Sequence, residues 1–249
     1  MPRRIMNIVP VPVPPEALDA FAAQLPPDAI HPDFTNEFVA ARAGASVIDS
    51  PYEQLLAEAY VLDAGCRAEE QGYAAVAVNS MSDSALSALR SRLTIPVTAP
   101  ASSAMLLACM LGKKFSVVTM WPEWHSLYEK TIAEHGIAHR VASIRDIGVR
   151  PDAAELLAGK EEFVFDALLR ESRAAIDEDG ADVIILGSTT MHQSYEFLKQ
   201  NLEVPVLSPG LVAAKMAELL VLTGTSHSKK AYPSPALAQD ELFTNPVTQ

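Results

Sequence analysis

Short apolar runs alternate along this chain with longer stretches whose apolar residues recur at helical spacing, the pattern of a parallel α/β protein. "RIMNIVPV" opens as a strand, and Pro15 to Gln24 reads as a helix with proline at its start. "PPDAIHPDFTNEFVAARAGASVIDS" reads as a short strand and a long loop. Ser50, Pro51 and Glu53 supply an N-cap, a first-turn proline and a capping-box glutamate for a long helix reaching Gln71, which Gly72 ends. The strands "AAVAVN", "IPVTAP" and "FSVVTM" follow, separated by helices from Ser82 to Leu93 and from Ser102 to Leu111. A helix from Pro122 to His135 leads to the strand "HRVASIRDI". Helix Lys160 to Asp179, strand "DVIILG", helix His192 to Asn201, strand "VPVLSP" and helix Leu211 to Leu222 complete the core. The tail "GTSHSKKAYPSPALAQDELFTNPVTQ" is polar and rich in proline, so it either wraps the surface or is partly disordered.

Eight strand candidates would also suit a closed (β/α)₈ barrel, but an internal repeat argues against one. "GYAAVAVNSMSDSALSALRSRLTIPVTAP" and "GADVIILGSTTMHQSYEFLKQNLEVPVLSP" share the glycine, the strand, the serine, the helix, the Pro-Val strand and the closing proline. The expected fold is therefore α/β, with two similar open parallel-sheet lobes related by pseudo-two-fold symmetry and the active site in the cleft between them. Approximate lobe boundaries are 1–100 with 210–233, and 101–209, leaving 234–249 as a tail. Open parallel sheets bind ligands beyond their strand C-termini, which would put Ser80 and Ser188 on opposite walls of one cleft.

Composition narrows the partners. A chain of 249 residues with 49% hydrophobic and 20% charged residues buries a substantial core. A net charge of −12 with no basic patch argues against nucleic acid and anionic membranes. No apolar run is long enough to span a bilayer, and the proline-broken N-terminus does not read as a signal peptide. Cys66 and Cys109 fall in helical stretches without metal-ligand spacing, so they read as core thiols in a reducing cytoplasm, with no metal site. A cytoplasmic homo-oligomer acting on a small molecule is the expected setting.

The candidate chemistry sits at the two corners. Helix-opening amides have no intrahelical partner and carry the positive end of the helix dipole. Asn79, Ser80 and Ser82 at one corner, and Ser188, Thr189 and Thr190 at the other, add hydroxyl and amide donors, making two nests for a carboxylate or oxyanion. Small polar residues at a single corner could be N-caps only; a matched pair within a repeat favours the nests. His192 lies one helical turn beyond Ser188 and is the nearest group able to take a proton at neutral pH, with helix capping as its plainer reading. Thr119 and Gly187 are expected to let backbone approach the ligand.

The corners, their spacing and the motif "LGSTTMHQ" resemble the aspartate/glutamate/hydantoin racemase superfamily, which includes maleate isomerases and arylmalonate decarboxylases. "ALRSRLTIPV", "KKFSVVTMWPEW" and "SHSKKAYP" resemble its hydantoin-racemase branch, and the resemblance runs from Ile5 to Pro233. It implies an inter-lobe active site, no cofactor, a carboxylate or hydantoin-like substrate, and proton transfer at a carbon next to a carbonyl. In the full racemase pattern two cysteines face each other across that carbon, and here those positions are Ser80 and Ser188. A thiol can be tuned into a base at a helix N-terminus, whereas a serine hydroxyl needs a partner to act as one. Ser80 has counterparts in branches that keep small hydroxyl donors there; Ser188 departs from the single-cysteine members as well. Three explanations stay open: a Cys-to-Ser inactivated racemase, divergence to other chemistry such as a decarboxylase or other lyase, and a small-molecule binder without turnover. A decarboxylase-like member would carry a Tyr as oxyanion donor at Trp121, where the indole N–H could substitute, with a hydrophobic lid or core aromatic as the plainer reading; His227 resembles a family tail element near the cleft, and Trp124 and Tyr128 read as packing residues. "NIVPVPVPP" replaces an Asn-containing turn of the family, which points to a less polar substrate end.

Overall fold

The computed structural model describes residues 2–150 and 162–243. The first sheet holds β1 (Arg3–Val9), β2 (Phe34–Ala40), β3 (Ala75–Val78) and β4 (Val97–Thr98) in the order β2-β1-β3-β4, with helix α1 (Pro15–Ala22) between β1 and β2 in the chain. The second holds β5 (Phe115–Thr119), β6 (Val141–Asp146), β7 (Val183–Leu186) and β8 (Val206–Leu207) in the order β6-β5-β7-β8. Every pairing is parallel, and the two orders are the same once the second set is matched to the first. The duplication legible in the sequence is thus a duplication of topology, and the open sheets replace the barrel alternative.

The strand period of two sorts side chains onto opposite faces. On β3, Val76 and Val78 pack toward α2 (Pro51–Gly65) and α3 (Leu86–Arg92), while Ala75 and Ala77 face α8 (Pro209–Leu222). On β7, Ile184 and Leu186 meet α6 (Glu162–Asp177) and α7 (His192–Asn201). Val183 and Ile185 of the same strand meet α4 (Pro100–Leu111) and α5 (His125–His135). The helix after each short outer strand crosses over: α4 leaves β4 but packs on the second sheet, and α8 leaves β8 but packs on the first. These two helices also pack on each other, so the halves are joined through them.

Element boundaries depart from the periodicity in explicable ways. The helix from Ser50 has the expected cap, with Glu53 N–H donating to Ser50 Oγ, but stops at Gly65 and continues as turns to Gly72. The helix expected from Ser82 begins only at Leu86, because Asp83 and Ala85 take left-handed conformations, φ 48° and 56°. Pro122–Trp124 forms a 3₁₀ turn before α5. The expected start of α6 at Lys160 lies outside the described residues, as does the tail after 243. The described tail wraps the end of α3: Lys229 donates to the carbonyls of Arg90 and Ser91, and Arg92 pairs with Asp240. No helix of the described residues is long and apolar enough to cross a membrane.

Asp83 ties the first corner to the other half. Its buried carboxylate accepts the Ala101 and Ser102 amides, both at 2.9 Å, and so caps α4 where local sequence offers no cap. Burial outweighs those hydrogen bonds and pushes its pKa up to about 6. A native pKa above the unfolded one means the folded protein holds the extra proton between them, so this group's stabilising contribution is full below about pH 4 and declines as pH rises toward 6. The unfolding free energy of the wild-type chain minus that of Asp83→Asn is therefore expected to fall across that window, in urea titrations at stepped pH. A flat difference would contradict the assignment.

Candidate active site

The strand C-termini of both sheets open onto one cavity of about 450 Å³. Asn79, Ser80, Met81 and Ser82 line it from the first corner, and Gly187, Ser188, Thr189 and Thr190 from the second. The two serines expected to face each other therefore share one wall system. Pro10 to Pro14, Phe21, Val47 and Ile48 close the cavity with apolar surface from the first half, and Trp124, Leu127 and Tyr128 from the second.

Four hydrogen bonds of the first corner recur at the second. Asn79 N–H donates to Ile8 O, and Gly187 N–H to Val118 O, both at the ends of matched strands. Ser82 N–H donates to Ser80 Oγ and Thr190 N–H to Ser188 Oγ, at 3.4 and 3.3 Å. Asp83 N–H reaches Ser80 O as Met191 N–H reaches Ser188 O. Between these bonds, the N–H groups of Ser80, Met81, Ser188 and Thr189 have no hydrogen-bond acceptor among the described residues. Two adjacent amides without an acceptor, beside a hydroxyl, thus occur at both corners. Hydroxyls extend each nest: Ser80 Oγ pairs with Ser82 Oγ at 2.8 Å, and Ser188 Oγ with Thr190 Oγ1 at 2.9 Å.

What holds each corner differs. Tyr128, fully buried, donates its hydroxyl to Gly187 O at 2.7 Å and accepts from Thr119 Oγ1 at 2.8 Å. With one proton on the tyrosine, that direction follows from the carbonyl being acceptor-only. Gly187 is required here: a Cβ would stand 2.4 Å from Thr119 Oγ1 and 2.7 Å from the Tyr128 hydroxyl. At the first corner a carboxamide pair replaces this chain. Asn79 Nδ2 donates to Gln24 Oε1 at 3.0 Å, and Gln24 Nε2 is anchored on Phe21 O at 2.6 Å. Gln24 is buried against Gly210, where a side chain would collide with its amide.

Several expected site residues lie elsewhere. Thr119 is fully buried behind Gly187 and acts on the corner through Tyr128. Trp121 and His192 are not among the lining residues. The Trp121 indole N–H is buried without a hydrogen-bond partner among the described residues, and burial lowers the His192 pKa against the opposing effect of the Thr190 backbone, so its ring favours the neutral form. Trp124 takes the wall position instead, because the 3₁₀ turn at Pro122 rotates it inward, and its indole N–H donates to Asp49 Oδ1 at 3.1 Å. Tyr128 also lines the cavity where packing alone was expected. His227 is held at Leu93 O, 2.9 Å away, in the tail. Gln24 and Asp49 carry no motif, and only tertiary contact shows them. Cys66 and Cys109 are free thiols away from the cavity, and burial pushes Cys66 up to about 11.

A parallel α/β chain with two matched strand-to-helix corners on one cavity defines a class of site, and comparison with known proteins gives it a family. The Asp/Glu/Hydantoin racemase model matches residues 16–217, and the chain belongs to that family. It is 32% identical over 200 residues to the hydantoin racemase of Pseudomonas sp. (strain NS671), covering 79% of this chain and 78% of that one. The allantoin racemase from Klebsiella pneumoniae superposes with a TM-score of 0.87 at 27% identity, covering 98% of this chain and 99% of that one. Arylmalonate decarboxylase shares the fold, with a TM-score of 0.60 at 19% identity, over 89% of this chain and 94% of its own.

The hydroxyl chain at the second corner has a measurable consequence. Tyr128→Phe leaves Gly187 O and the Thr119 hydroxyl buried without their partner, and is expected to lower stability by about 1–3 kcal/mol in urea unfolding. No change would show that water replaces the phenol.

Proposed function

We propose that this chain is a cofactor-independent isomerase acting on a hydantoin-like or amino-acid-like small molecule by proton transfer at the carbon next to a carbonyl. One observation carries the reading: the same corner, with two free amides and a hydroxyl, stands on both sides of a single cavity. The names of its relatives, hydantoin racemase and allantoin racemase, agree with a hydantoin ring as the guest. In such a ring the C–H beside the carbonyl loses its proton to give an enolate, the electron pair passing to the carbonyl oxygen. Return of a proton to the other face inverts the centre. Free amides aimed at that oxygen are the largest available stabilisation, since they are fixed in place before charge develops. Ser80 N–H, Met81 N–H, Ser188 N–H and Thr189 N–H are suited to the task.

The proton itself is the harder part. Among the described residues lining the cavity, no side chain is an ordinary acid or base at neutral pH, and the serine hydroxyls occupy the two positions where thiols would act. Burial holds the Tyr128 phenol well above its ordinary range, so it stays protonated. The chain as it stands thus has the enolate cradle without an efficient proton carrier, and restoring thiols is the direct test. Ser188→Cys, and the double variant Ser80→Cys with Ser188→Cys, are expected to raise the racemisation rate roughly 10²–10⁴-fold over the parent. Loss of optical rotation and deuterium uptake at the acidic carbon in D₂O report it. A double variant that binds hydantoins yet catalyses neither exchange nor inversion would overturn the reading.

The apolar wall from Pro10 to Pro14 favours one alternative, a lyase. Decarboxylation needs no base: the C–C bond pair enters the enolate as CO₂ leaves, an apolar wall disfavours the charged carboxylate, the corner amides take the enolate oxygen, and a proton from water then completes the product at carbon. Release of CO₂ from a malonate-type substrate in the same incubations would select it, and ligand binding without either reaction would select a binder.

A further inference from the structure

The segment between β2 and α2 belongs to the first half of the chain, yet it forms part of the cavity wall through Ser46, Val47 and Ile48. Ile48 is buried in a core built from α4, α5 and the second sheet, whereas Ser46 is exposed at the rim. Asp49 follows, and its carboxylate reaches across to the second half by both oxygens. Oδ1 accepts the Trp124 indole N–H at 3.1 Å, and Oδ2 accepts from Arg150 at 3.0 Å. Its own backbone N–H donates to Glu53 Oε2 at 2.8 Å, which fixes it to the first turn of α2. The carboxylate is mostly covered, at 16% exposure, while Arg150 is 64% exposed, so the indole bond is the better shielded of the two.

We propose that Asp49 is a latch: a positioning residue that fastens the 41–50 segment to Trp124 and so controls entry to the cavity. Ile48, which precedes it in the chain, and Trp124, which it binds, are both wall elements. The indole nitrogen is occupied at the back, so the ring presents carbon to the cavity and its orientation is set by the carboxylate. Parting this bond frees a wall residue from each half at once, and the rim at Ser46 opens. The latch does not rest on what the guest is or on any turnover.

Entry is therefore read by chemical modification rather than activity. In a Ser188→Cys background the introduced thiol lies on the cavity wall, and its rate of alkylation by iodoacetamide, followed by peptide mass spectrometry to separate it from Cys66 and Cys109, measures access. Asp49→Ala is expected to speed that alkylation about fivefold. Asp49→Asn keeps an oxygen that accepts the indole N–H and is expected to stay near the parent rate. Trp124→Phe removes the donor while keeping an aromatic wall, and is expected to match Asp49→Ala; it serves as the test if the alanine variant does not fold. Equal rates in the parent, Asp49→Ala and Trp124→Phe would overturn the latch. So would equal acceleration by Asp49→Asn and Asp49→Ala, which would assign the effect to the lost charge acting on the thiol.

Discussion

Amides left without a partner where a parallel strand gives way to a helix are the constraint around which this molecule is arranged. A strand spends its N–H groups on its neighbours, and a helix spends its own only after the first turn, so the residues between must leave donors over. Here that happens at Ser80 and Met81, and again at Ser188 and Thr189. Such donors are tolerable only beside water or a polar guest, and the fold places both pairs on one cavity instead of dispersing them. The crossing of α4 and α8 between the sheets ties the two halves together.

Equal corners do not have equal supports. The second is braced by a glycine and a buried tyrosine hydroxyl, which leaves no side chain at Gly187 and makes the carbonyl there immovable. The first carries Asn79 at the matching place, held by a buried glutamine, so it shows an amide side chain to the cavity where the second shows only backbone. Asp83 has no carboxylate counterpart either, since Met191 stands in its position. Both corners show hydroxyls to the cavity, but the first adds the Asn79 side chain where the second has the bare backbone of Gly187. Duplication built the site, and divergence of the braces gave it a direction.

The same asymmetry frames the chemistry. Neutral donors, apolar walls and hydroxyls suit an intermediate whose charge is spread over an oxygen, and they supply little driving force for lifting a proton from carbon. Membership of the racemase family and serines at Ser80 and Ser188 are compatible: the unpartnered donors at the two corners are backbone, and do not change when a side chain does.

The sequence by itself determined the architecture and the two corners. Alternating apolar runs, Gly72 and Gly180 before the strands, and Ser80 and Ser188 after them are local signals, read within a few residues. It also marked the chemical departure, because serine at those positions needs no structure to recognise. Only the tertiary structure decided which aromatic residue faces the cavity, since Trp121 and Trp124 differ by one 3₁₀ turn that composition does not reveal. It alone assigned Tyr128 and Gln24 as braces and Asp83 as the cap of a helix in the other half. Asp49, too, acquires its reach only through residues far along the chain. Each of these roles is a hydrogen bond between distant segments, and a periodic pattern carries the direction of a side chain from its own element but not the identity of what it meets.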